Sequence, residues 1–170
     1  MAFSRVFLIG FMCSGKSTLG RAVAQTLGWD FFDTDELIQT QEGMSVAEIF
    51  QEKGEDYFRM RELEVLQALC GMDKVVVSTG GGLGANPKAL ELMKSSGLVV
   101  WLRVDFETFL SRCGKDENRP LLKRSKEELR KIFDERSLVY AQAHVWLDAL
   151  KRPEELVEEL RSIFINYAGG

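Results

Sequence analysis

The sequence predicts an α/β protein in three layers, a parallel sheet with helices on both faces, and three observations predict it. Short apolar runs alternate with longer amphipathic stretches along the 170 residues, the pattern of consecutive βα units. The runs VVVS and LVVWL are apolar without alternation, as strands covered on both faces require. Finally, GFMCSGKST, Gly10 to Thr18, follows an apolar run and opens an amphipathic stretch, so strand, glycine-rich turn and helix succeed one another in register.

Strands are expected at Arg5 to Ile9, Asp30 to Asp33, Lys74 to Ser78, Gly97 to Leu102 and Val145 to Leu147. After the first, Leu19, Ala22, Val23 and Leu27 recur at helical spacing and stop before Gly28, a natural residue past a helix end. Ser45 with Glu48 and Ser125 with Glu128 read as capping boxes, and Asn86 before Pro87 as another helix start. Tyr57, Phe58, Leu63, Leu66 and Leu69 form the core face of a helix between them. Pro153, followed by Glu154 and Glu155, opens a last helix whose apolar face is Leu156, Val157, Leu160, Ile163 and Phe164; it covers one sheet face. Between two of these helices, Cys113 to Arg124 is the polar run CGKDENRPLLKR. Its composition suits a solvated loop or a mobile lid that brings positive charge over bound phosphates.

Composition narrows the function. The length fits one domain spanning 1–170, with no repeat or linker dividing it. A net charge of −4 supplies no global positive field for nucleic acid or an anionic membrane, so an anionic ligand must meet local arginines and lysines. Cys13, Cys70 and Cys113 are scattered and odd in number, and one histidine accompanies them, which suggests neither a disulfide framework nor a zinc site. The expected setting is a reducing cytoplasm. Val6 to Ile9 is too short for a signal-peptide core or a membrane span. No heptad pattern or spare apolar helix face asks for a partner, so a monomer is expected.

Gly10 to Ser17 match G-x-x-x-x-G-K-S in the strand-to-helix context that the motif needs. Gly10, Cys13, Ser14, Gly15 and Thr18 belong to the cradle, where backbone N–H groups and a helix N-terminus surround phosphate oxygens. Lys16 reaches the β and γ phosphates of a nucleoside triphosphate, and the Ser17 hydroxyl ligates Mg²⁺. Cys13 reads as a small filler, although an electropositive loop can also activate a thiol.

Asp33 and Asp35 close the second strand in FFDTDEL, outside the carboxyl ends of the strands where α/β proteins bind ligands. One can hold Mg²⁺ through water and the other can take a proton from an attacking hydroxyl, while a lone aspartate here would simply cap the next helix. In GEDYFRMRE, Arg59 and Glu62 are one turn apart: either a solvated ion pair of little value, or a guanidinium held ready for a substrate carboxylate. The run STGGG puts Gly80, Gly81 and Gly82 after a strand, where three glycines suit close approach of backbone to a ligand. Arg136, with Tyr140 one turn later, and Arg119 in the polar run are further cations beside these elements.

Taken in order, GFMCSGKSTLG, DTDELI, GEDYFRMRE, STGGG, NRPLL and ERSLVY resemble the shikimate kinase family, within the nucleoside-monophosphate-kinase-like P-loop proteins, over nearly the whole chain. The resemblance implies a P-loop kinase fold with strand order 2-3-1-4-5, a substrate-binding subregion at 34–70 and a lid at 113–124. It implies ATP and Mg²⁺, with Lys16 and Ser17 as phosphate and metal ligands and Asp33 a metal partner through water. Asp35 becomes the shikimate-binding base, Arg59 and Arg136 the carboxylate clamp, and Gly80 to Gly82 the pocket lining. Arg119 stabilises the transferring phosphoryl group, and Arg112 and Pro153 flank the adenine. The chain departs from the family at Ser137-Leu138, where a proline is frequent, and at Ala143-His144, where acids are; His144 reads as a surface residue. A gluconate-type or nucleotide kinase and a catalytically silent nucleotide-binding module remain as rivals.

Overall fold

The structure, a computed structural model, describes residues 3–113 and 124–168. Five strands, β1 (Arg5–Ile9), β2 (Asp30–Asp33), β3 (Val75–Ser78), β4 (Leu98–Arg103) and β5 (Val145–Asp148), form one parallel sheet in the order β2-β3-β1-β4-β5. Each expected strand is found within one residue of its expected ends.

β1 is central because Val6 to Ile9 are fully buried, flanked by the equally buried Val75 to Val77 and Leu98 to Val100. The chain leaves β1 through α1 (Lys16–Leu27) to reach β2 on one side, then crosses back toward β5. Right-handed crossovers therefore put α1 on one face and the helices that lead to β3, β4 and β5 on the other. These are α2 (Thr34–Glu42), α3 (Val46–Lys53), α4 (Glu55–Cys70), α5 (Gly81–Gly84), α6 (Pro87–Ser96), α7 (Phe106–Cys113) and α8 (Lys126–Tyr140). The closing helix α9 (Pro153–Ala168) packs on α1 through its buried Leu156 and Leu160, the role expected of it.

The caps follow the sequence closely. Ser45 and Glu48 make both hydrogen bonds of a capping box, and the Asn86 side chain accepts from the Lys88 and Ala89 N–H groups. At Ser125 the hydroxyl accepts from Glu128 N–H, whereas the Glu128 carboxylate lies 3.8 Å from Arg124. Residues 114–123, which carry Arg119 and most of the expected lid, lie outside the described residues. Among the described residues no helix is long and apolar enough to cross a membrane.

His144 is exposed, as expected, and also bonds the backbone. Its Nδ1 accepts from the Val99 N–H at 3.0 Å, extending the β4 ladder one position before β5 begins. Desolvation, then the Lys94 charge, holds its pKa below the ordinary 6.5. The unfolded chain therefore binds this proton more readily, so the stability that neutral His144 contributes is present above pH 6.5 and is lost as pH falls through the lower folded value. Thermal unfolding followed between about pH 5 and 8 should show a shallower acid-side loss for His144→Gln than for the parent. An unchanged profile would refute that role.

Candidate active site

The phosphate loop is built by β1 and α1. At Gly10, φ is 150° and a Cβ would stand 2.6 Å from the Leu102 carbonyl oxygen of β4, so the loop can pass this close only without a side chain. Phe11 is buried edge-on against Phe109 of α7, with centroids 4.7 Å apart, and against Phe133 of α8 at 5.1 Å. This packing anchors a loop that glycines alone would leave loose. Gly15 caps α1 without a side-chain hydrogen bond, and the first turn of α1 holds no acid, which leaves its N–H groups for an anion. The buried Ser14 Oγ has no hydrogen-bond partner among the described residues, a second opening for a phosphate oxygen. Lys16 Nζ donates to the carbonyls of Gly10 (2.8 Å) and Phe11 (3.0 Å), so its ammonium lies across its own loop.

Asp33 is the helix cap that the sequence offered as one alternative, and it also reaches the phosphate loop. Its Oδ1 accepts from the N–H groups of Asp35 and Glu36 and caps α2, while its Oδ2 accepts from the Ser17 hydroxyl at 2.5 Å. Ser17 Oγ also lies 3.2 Å from Ser78 Oγ at the end of β3. Oxygen donors of this type, one carboxylate and hydroxyls, fit a Mg²⁺ ion that takes its remaining ligands from phosphates and water. Asp35 does not share the strand end with Asp33; it belongs to the first turn of α2, because capping by Asp33 starts the helix at Thr34.

Asp35 faces the glycine run, where a Cβ at Gly80 would lie 2.6 Å from its Oδ1. The next two glycines face the two arginines. A Cβ at Gly81 would stand 3.2 Å from Arg136 Nη1, and one at Gly82 would stand 2.7 Å from Arg59 Cζ. At Gly82 any side chain would displace the Arg59 guanidinium from its present position. The run is no bare turn, since Gly81 opens α5 and its carbonyl accepts from the Tyr140 hydroxyl at 2.5 Å. Burial raises the Tyr140 pKa, and Arg136 beside it works in the opposite sense.

Arg59 is held by Glu62 at 2.7 Å and by Glu55 at 3.3 Å. Glu62 is only 1% exposed, so the pair is not the solvated one that i, i+3 spacing usually means. Burial pushes its pKa up to about 7 against the pull of Arg59 and Arg136, and the Asp35 carboxylate adds to the rise. Because the unfolded value is 4.5, any stability from this group is greatest below pH 4.5 and is lost as pH rises through about 7. Two arginines and an aspartate thus gather around the backbone of Gly80 to Gly82, with Glu62 behind Arg59, a set of groups suited to a small hydroxylated carboxylate. The spacing of Arg59 and Glu62 was visible in sequence, but nothing there signalled the burial of Glu62 or the contributions of Ser78 and Phe11.

Of the two residues expected beside adenine, Arg112 of α7 donates to the Ala149 carbonyl at 3.3 Å, and Pro153 is exposed at the start of α9. The reading of Cys13 as a filler is corrected: its sulfur is bonded to that of Cys113 at the end of α7, with Cα atoms 5.9 Å apart. Three scattered cysteines, odd in number, did not suggest a disulfide in sequence, and these two are 100 residues apart. The fold joins them because β1 and β4 are neighbours, so the loop after β1 lies beside the helix after β4.

Residues 12–164 match the sequence model of a family described as shikimate kinase. The chain is 49% identical over 167 residues to the shikimate kinase of Aquifex aeolicus (strain VF5), covering 98% of this chain and 99% of that one. The crystal structure of shikimate kinase from Aquifex aeolicus superposes with a TM-score of 0.86 at 46% identity, over 98% of this chain and 99% of that one. Shikimate kinase from Acinetobacter baumannii in complex with shikimate superposes with a TM-score of 0.91 at 32% identity, over 97% and 94%.

Proposed function

The chain belongs to the shikimate kinase family, ATP-dependent phosphotransferases with an alcohol acceptor, and from that premise we propose that it phosphorylates the 3-hydroxyl of shikimate at this site. The observation that carries the residue assignment is the adjacency of Gly81 and Gly82 to Arg136 and Arg59, beside Asp35 and next to the phosphate loop. A clamp of two guanidiniums recognises the acceptor carboxylate, and the glycine backbone lets the ring lie against the chain. The subregion 34–70 supplies Asp35 and Arg59, and α8 supplies Arg136.

Asp35 accepts the proton of the attacking hydroxyl and orients it toward the donor. Lys16 turns from its own carbonyls to the β and γ phosphates, while the loop amides and Ser14 hold the remaining oxygens. Ser17, and Asp33 through water, would hold Mg²⁺, which would supply charge neutralisation at the phosphates. Arg112 and Pro153 border the adenine. Arg119, outside the described residues, has the role its NRPLL motif implies, stabilising charge on the transferring group. We take the enzyme as a cytoplasmic monomer, which light scattering tests for oligomeric state.

An ADP-release assay with shikimate, gluconate and a nucleoside monophosphate tests the reading. Turnover is expected with shikimate alone, abolished by chelation and restored by Mg²⁺. ADP release with gluconate but not shikimate would overturn it.

A further inference from the structure

The phosphate loop is tied covalently to a distant part of the chain. Cys13 sits between Met12 and Ser14 with φ of 60°, a left-handed conformation uncommon outside glycine. Its sulfur is joined to Cys113, the last residue of α7, which is 2% exposed, whereas Cys13 is only half-buried. One residue earlier, Arg112 reaches the Ala149 carbonyl in the segment before α9. A continuous path therefore runs from the phosphate cradle through the bridge and α7 to the adenine side. Cys70, the third cysteine, is free.

We propose that the Cys13–Cys113 pair is a reversible redox modification site that braces the nucleotide pocket, so that a dithiol reductant lowers nucleotide affinity and a disulfide oxidant restores it. The bridge holds Cys13, and with it the amides on either side, in the arrangement that the phosphates need. The proposal rests on nucleotide binding at the loop, but its readout is that binding alone, so it and the acceptor assignment can fail separately.

The exchange balances. A thiolate of the external dithiol attacks the accessible Cys13 sulfur, a mixed disulfide forms and Cys113 leaves as a thiolate that takes up a proton. The second thiol of the reductant then attacks its own bridged sulfur, releasing Cys13 as a thiolate that also becomes protonated. Two electrons pass from the dithiol, which ends as a disulfide.

Thiol titration of denatured protein, purified without reductant, should find one thiol, that of Cys70, and three after dithiothreitol treatment. Calorimetric titration with ADP and Mg²⁺ should then give a Kd raised about 5-fold or more by reduction and restored by oxidised glutathione. Cys113→Ser, which leaves the loop sequence intact, should bind like the reduced enzyme and ignore dithiothreitol. Three thiols before reduction would overturn the proposal, as would an unchanged Kd in a reduced protein whose Tm falls, which makes the bridge a staple only. Reductant sensitivity surviving in Cys113→Ser would overturn it too.

Discussion

Asp35→Asn is expected to lower kcat by about 10²–10⁴-fold while the KM for shikimate changes little. Asparagine keeps the size and hydrogen-bonding reach of the side chain, so the acceptor hydroxyl is still gripped, but the amide cannot take its proton. The fold has little reason to suffer. The α2 N-terminus is capped by Asp33 and not by Asp35, and the substitution removes a charge that repels the buried Glu62. Steady-state kinetics with both substrates varied will decide the matter. If kcat stays within a few-fold of the parent value, Asp35 only orients the hydroxyl and the proton leaves by another route.

Arg59→Lys is expected to raise the KM for shikimate by about 10–100-fold, the worth of a charge-assisted hydrogen bond, with kcat nearly unchanged. Lysine is the informative choice. Removing the charge altogether would leave the nearly inaccessible Glu62 without its partner and drive it to take up a proton, which confuses affinity with folding. Lysine preserves a cation near Glu62 but loses the planar fork that meets a carboxylate in two places. The KM for ATP serves as the internal control, since Arg59 belongs to α4, which contributes no residue to the phosphate loop. A normal shikimate KM in this variant would remove Arg59 from the clamp.

Much of the architecture was legible because it rests on local chemistry. Strand ends were placed well because unbroken apolar runs such as VVVS can be satisfied only with both faces covered. Helix starts were placed by Ser45, Asn86 and Ser125, whose side chains cap their own first turns. The region around Asp33 was half legible. Both aspartates were picked out and the strand end was placed at Asp33, yet which of the two caps the next helix stayed open, because either side chain could have done so.

The donor half of the site was determined by the sequence itself: a phosphate cradle is one contiguous strand, turn and helix, and its chemistry is written within nine residues, Gly10 to Thr18. The acceptor half was legible only as separate pieces, and tertiary structure decided how they meet. Burial turned the commonplace i, i+3 pair of Arg59 and Glu62 into one whose acid is pushed up to about 7, because desolvation depends on what α4 packs against and not on what it contains. Strand order likewise decided the fate of Cys13. Sequence separation says nothing of distance in space, and only the pairing of β1 with β4 brings the phosphate loop and the end of α7 within reach of a bond.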